Sequence, residues 1–345
     1  MPSCPLTLAA MGNNVSRRHH LLPRTWLEGF ARNGLLTGRR RAAGHDFPTS
    51  VVDATVIGQF YSNPMPEQGE DGQEVERFLA VEIEGPGGTA LQAIRAGCWP
   101  LERDDESALI RLLAHQLARS QAFRKLGKHV EDHLLPLITA SEIAKYMDER
   151  ADQPFSPRDR KRVIESIMRN PPALEGLLDP RRDLRQQLRT ADQLEQELAN
   201  WQMVLLRADR PLLLLADGGV VVKQADGTFS PYPPMLPEDA ELLAPLAPHL
   251  LLVLTQRPER HADRQLTPKK AGRANRGALA LCHDAIYRHP GHSWPKGATL
   301  LAEPPSLRPP SITISLAAEQ GTEQPMSHAP IANQRLAQMV RKLGG

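Results

Sequence analysis

The chain has 345 residues, 42 Lys and Arg against 40 Asp and Glu, and a formal net charge of +2. So small an imbalance excludes a protein held to nucleic acid by bulk charge alone, and no apolar run approaches the roughly 18 residues of a membrane span. Hydrophobic residues make up 41% but aromatics only 4%, so aliphatic side chains must build the core; three scattered cysteines, Cys4, Cys98 and Cys282, exclude a disulfide framework and point to a reducing, cytoplasmic setting.

In chain order, residues 1–16 are read as a disordered N-terminus. A helix is expected over 17–33: Pro23 suits a first helical position, Leu22, Trp26, Leu27 and Phe30 share a face, and Asn33-Gly34 supplies a left-handed stop. His20 stands at the mouth of that helix. A basic loop follows at Arg39-Arg40-Arg41, then a β-branched strand over 51–61. Residues 74–84 read as helical, with Gly85-Pro-Gly-Gly88 interrupting before 89–96 resumes. The helix over 104–127 starts with acids and ends with bases, as the macrodipole prefers. Residues 141–200 are charged and helical, with a Ser156-Pro157 start and a break at Pro171-Pro172.

From Trp201 the hydrophobic period changes. Strands are expected at 203–206, 212–215 and 220–223, the last two joined as a hairpin through Asp217-Gly218-Gly219. Asp226-Gly227 marks another turn, 250–254 a buried strand and 277–287 a helix. Residues 301–345 form a Pro-rich, weakly ordered tail. The expectation is an α+β fold, a mostly helical N-terminal half packed with a small antiparallel sheet. It forms one domain over 17–300, helical over 17–200 and sheet-containing over 201–300.

Two polar residues fall where apolar ones belong. With about 100° per residue, Leu112, Leu113, Ser120 and Phe123 cluster on one face, with Gln116 in its middle and Arg119 at its edge. Buried, both need partners. The preceding helix offers them: Phe78 and Leu79 define its buried stripe and Glu82 falls on it, whereas Glu84 faces away if the helix is regular. A structural Glu82–Arg119 pair and a polar pocket shared with His20 are both compatible with the pattern.

The order of these residues resembles the mostly bacterial family called Domain of Unknown Function 4238. Its hallmark His-Tyr-Val-Pro segment and Leu/Phe helix are matched by His20, Pro23, Leu27 and Phe30, with Leu21 replacing the tyrosine. An aromatic strand end is matched by Phe60-Tyr61, a Glu-Gly helix by Glu84-Gly85 with Glu76 upstream, and a Gln-x-x-Arg-Thr segment by Gln116, Arg119 and Ser120. A late Ser-Asp-Asn-Pro turn survives only as Asp217, and a final Asn-to-Tyr helix as Asn275, Ala285 and Tyr287. The resemblance covers about residues 17–290 and implies no activity. The Glu76-to-Glu84 spacing is one residue longer than the family pattern, which implies either a π-bulge or Glu82 as the true counterpart.

Within this set His20, Glu84, Gln116 and Arg119 are the candidate catalytic residues. A histidine, a carboxylate and an arginine suffice for acid–base work on a phosphodiester. That reading gives a nuclease or toxin-like effector, with nucleic acid or another phosphate ligand as partner and no membrane. The alternative is a non-enzymatic binding or interaction protein in which these residues are structural. Cofactor, metal and oligomeric state stay open. Cys282-His283-Asp284 with His289 and His292 carries metal-capable side chains, but the spacing fits no standard zinc pattern. His289-Pro-Gly-His292 reads first as a surface turn.

Overall fold

Arg18–His20 (β1) runs extended and pairs antiparallel with Val56–Gly58 (β4), placing His19 opposite Ile57 and His20 opposite Val56. The computed structural model describes residues 18–42, 44–58, 73–125, 127–128, 156–168, 182–230, 236, 239–257, 261–295 and 300. The expected opening helix is therefore mostly a strand and a turn, with one short helix, α1, at Arg24–Glu28. That helix stops at Glu28, short of Asn33-Gly34, whose φ of 53° and 72° form the turn between Arg32 and Leu35 instead.

Leu35–Arg40 (β2) and Asp46–Ser50 (β3) form a hairpin, so the basic cluster lies at the end of a strand rather than in a loop. Glu74–Phe78 (α2) runs without a break through a π-helical turn at Leu79–Glu84 into Gly85–Arg95 (α3). The glycines after Glu84 thus do not interrupt the helix. They admit its neighbours: a Cβ on Gly87 would lie 2.6 Å from Cβ of Leu112, and one on Gly88 2.9 Å from Oγ1 of Thr25. Arg103–Ala118 (α4) crosses α3 there. Pro157–Met168 (α5) and Arg182–Leu198 (α6) follow, and α6 packs along α4.

The remaining strands are Gln202–Arg207 (β5), Leu215–Ala216 (β6), Val221–Lys223 (β7), Phe229–Ser230 (β8), Glu241–Ala247 (β9), Leu250–Thr255 (β10) and Ala262–Gln265 (β11). After the helix Pro268–Leu281 (α7) comes Ala285–Arg288 (β12). Six of these strands make one sheet in the order β11-β5-β10-β9-β7-β8. It is antiparallel except at one edge, where β11 runs parallel to β5. A four-stranded sheet, β3-β2-β12-β6, joins the two ends of the chain.

These sheets correct the expected fold class. The described N-terminal half carries four strands as well as helices, and sheets of two, four and six strands replace one small antiparallel sheet. The physical reason is that β2 and β3 are short and polar, and β2 finds its second partner, β12, only at residues 285–288, so no local period marks them. Two further corrections have the same origin. Asp217-Gly218-Gly219 is not a hairpin turn, because β6 and β7 belong to different sheets. The helix expected over 277–287 ends at Leu281, and Tyr287 sits on a strand.

Pro245 stands inside β9, where it cannot donate to the ladder. The register slips between Leu250 and Leu251, and the freed carbonyls turn toward the helices. Trp26 Nε1 donates to the Pro245 oxygen at 2.8 Å, and Arg95 Nε donates to that of Leu246 at 2.9 Å. The Arg95 guanidinium also caps α1 through the oxygens of Thr25 and Trp26. One continuous core results, from Leu22 and Trp26 through Leu109 and Leu112 to Leu252 and Ile286. Phe60-Tyr61, Pro171-Pro172, the N-terminus and the tail lie outside the described residues.

Candidate functional site

The site is set by the π-helical turn. In a regular helix eight residues turn through about 800°, which would leave Glu76 and Glu84 some 80° apart. A π turn absorbs one residue and brings that to roughly 20°, so the two carboxylates share a face. Pro86 is the local cause. It has no N–H to give the Glu82 carbonyl four residues back, and its ring crowds that oxygen. The chain widens instead, and the Gly85 N–H donates to the Ala80 oxygen five residues back. The same shift moves the buried stripe to Leu79 and Ile83 and turns Glu82 out to solvent. Glu84, not Glu82, is therefore the partner of Arg119.

Arg119 Nη1 donates to Glu84 Oε1 at 2.5 Å, and its Nε and Nη2 donate to Gln116 Oε1 at 2.9 and 2.6 Å. Gln116 Nε2 in turn donates to the oxygens of Leu21 at 2.9 Å and Gly218 at 3.2 Å. Gln116 and Arg119 are 1% and 3% exposed, while the Glu84 side chain keeps 25%. The network thus ties α4 to β1's outgoing chain, to the π turn and to the β6–β7 link. That link must come close: Gly219 has φ of 73°, and a Cβ there would lie 2.5 Å from Leu22 Cδ2.

The structure brings Glu84, Gln116 and Arg119 together. It holds His20 elsewhere on β1, with Nδ1 3.2 Å from the Ala54 oxygen. The preceding residue faces the helix instead. His19 is fully buried, and its Nε2 lies 2.6 Å from Oε2 of Glu76. Sequence reasoning missed this histidine, although strand alternation of His19 and His20 would have offered it once β1 was known to be a strand.

Glu76 is the group whose titration stands out. Burial, with the nearby charge of Glu84, raises its carboxyl to about 7, yet 31% of the side chain is exposed. Beneath it, His115 is pushed down to about 4 by burial and by Arg119 and Arg111, so it is neutral at physiological pH. A narrow crevice, with room for little more than a water, lies between α2, α4 and α6, bordered by Val75, His115, Arg119 and Gln187.

The other family-matched residues are fasteners. Buried Asp217 accepts from the N–H groups of His283, Asp284 and Ala285 at 2.8, 2.5 and 3.2 Å, and burial raises its carboxyl despite them. Asn275 bridges the backbone of Leu212 and Leu214. The Tyr287 hydroxyl accepts from Thr55 N at 3.3 Å, and burial raises it. The Cys282 thiol is buried, while His289 and His292 form a turn closed by the His292 N–H on the His289 oxygen. Among the described residues no three His, Cys, Asp or Glu side chains gather to hold a metal ion, and no helix is long and apolar enough to cross a membrane.

Comparison with curated proteins and with solved structures finds no match. A family model does match, over residues 18–292, a span that contains β1, the π turn, the Gln116–Arg119 pair and β12. The chain belongs to the family described as Protein of unknown function (DUF4238).

Proposed function

We propose that this protein is a cytoplasmic hydrolase that cleaves phosphodiesters by general acid–base chemistry on the Glu76 face of the π turn. What carries the reading is a carboxyl group that is partly exposed, backed at 2.6 Å by a buried histidine, and raised to about 7. A base that titrates near the working pH is the one that transfers protons best. As a carboxylate, Glu76 takes a proton from the attacking water; the new oxygen–phosphorus bond forms as the bond to the leaving oxygen breaks, and that oxygen is protonated from solvent. His19, Glu84, Arg119 and Gln116 are positioning residues in this scheme. His19 orients the Glu76 carboxyl, and the Arg119–Gln116 pair holds Glu84 beside it.

The test is to incubate the full chain with labelled single-stranded RNA and DNA of one sequence. Cleavage is expected of at least one, rising with pH to a plateau above about 7. Glu76→Gln should lower it by about 100-fold or more. Absence of cleavage, or full activity in Glu76→Gln, overturns the reading.

A second reading draws on a different observation. Gln116 and Arg119 are buried and bond to Glu84, to each other and to backbone oxygens. That is the geometry of a staple in a non-enzymatic binding protein. Under it, Gln116→Ala loses stability and no variant of Glu76 changes any turnover.

A further inference from the structure

The six-stranded sheet has two unlike faces. One carries Met203, Leu205, Leu242, Leu252 and Leu254 and lies in the core with the helices. On the other, α7 packs against the β7–β8 end, where Gly277 sits against Val221 and Phe229. Beyond α7 the face opens as a cleft. Register places Val204 beside Val253 and Leu206 beside Leu251, with Leu243 on the far side of Val253. These five branched aliphatic side chains form the floor.

The rim is cationic. Arg257 follows β10, Arg264 stands opposite Leu206 on the parallel edge strand, and Lys270 and Arg273 come from the first turns of α7. The single acid in the lining, Glu241, is already bonded to Lys223 at 2.9 Å. Among the described residues, Arg257, Lys270 and Arg273 meet no carboxylate and make no side-chain hydrogen bond. Nor does folding alone favour them there. The first turn of α7 has no acid and carries Lys269 and Lys270, against the sign of its own dipole. A local rule broken without compensation inside the protein points to compensation from outside it.

We propose that this cleft binds a small amphipathic anion, with an aliphatic body on the valine–leucine floor and one carboxylate or phosphate head among Arg257, Lys270 and Arg273. The body is aliphatic because the floor holds no aromatic ring, the side chain on which a nucleobase would stack. The head is anionic because the lining carries four cations, Arg257, Arg264, Lys270 and Arg273, against one acid that is already bonded to Lys223. The site lies on the sheet face away from the helices that carry Glu76, so it is a second site and does not rest on the hydrolase reading.

The probes are octanoate and octyl phosphate, with octanol as the body without the head and inorganic phosphate as the head without the body. Calorimetric titration of the full chain should show saturable binding of at least one of the two anionic amphiphiles, and which one binds distinguishes a carboxylate from a phosphate ligand. Octanol and inorganic phosphate should each bind about tenfold more weakly or less well still. K270Q/R273Q changes two partly or fully exposed side chains and leaves the floor intact; it should weaken binding about tenfold. Val253→Asp, at the one half-buried residue of an otherwise buried floor, should abolish it, and unchanged circular dichroism keeps that variant interpretable. Equal affinity for inorganic phosphate, unchanged affinity in K270Q/R273Q, or no binding of either amphiphile overturns the proposal.

Discussion

Glu76 and His115 lie on facing helices and respond to pH in opposite senses. Glu76 titrates near 7 in the folded chain and lower when unfolded, so the native state holds the extra proton between those values. Its contribution is full below the unfolded value and is lost as pH rises through about 7. Glu76→Gln removes that loss, so its melting temperature relative to wild type should rise between pH 5 and pH 8. A constant difference across that range would show that Glu76 titrates normally. His115 is lowered to about 4, so its contribution is present above its unfolded value and lost as pH falls through about 4. His115→Phe should flatten the acid side of the stability profile. The burial of Gln116 and Arg119 was legible, because a regular helix keeps its period and a polar residue inside an apolar stripe is conspicuous. The role of His19 was not, because nothing local distinguishes two adjacent histidines before the strand is known.

At the scale of elements, the π turn decides which glutamate meets Arg119. A wheel with constant pitch selects Glu82; only the extra residue, forced by Pro86 and visible in sequence as a spacing one too long, selects Glu84. Deleting Val81, which is 65% exposed, together with Pro86→Ala, restores a regular helix with Glu76 and Glu84 seven residues apart and still on one face. That variant should fold and keep the raised Glu76 titration when followed by carbon-13 NMR. Inserting an alanine after Val81 should rotate Glu84 away by about 100° and strand a buried guanidinium, at a cost of about 3–5 kcal/mol in chemical denaturation. The same helix misled the sequence reading at Gly85-Pro-Gly-Gly88, where glycines that look like a break are contact points. Gly87→Ala should destabilise by about 1–3 kcal/mol, since Leu112 Cβ cannot swing aside.

Across the whole molecule the elements that sequence read best are those with their partners nearby: α4, and the β7–β8 turn at Asp226-Gly227. Those read worst have partners far along the chain, and they hold the architecture together. Trp26 and Arg95 reach a bulged strand more than a hundred residues away, and no pattern at either end announces the contact. Arg95→Met should cost about 3 kcal/mol by removing the guanidinium from the carbonyls of Thr25 and Leu246 and one of two donors from that of Trp26. Thermal unfolding monitored separately by tryptophan fluorescence and by far-ultraviolet dichroism should coincide, because these bolts join the helices to the six-stranded sheet.

The placement of β12 has a consequence for how the chain is made. It is an interior strand, bordered by β2 on one side and β6 on the other, yet it leaves the ribosome some 250 residues after β2 begins. Until it arrives, one hydrogen-bonding edge of β2 stands open, which is a template for pairing with another nascent chain. Fragments that stop at residue 280 should therefore aggregate or recruit chaperones during synthesis. Supplying a peptide of residues 282–290 in excess should rescue part of their solubility, and a scrambled peptide should not.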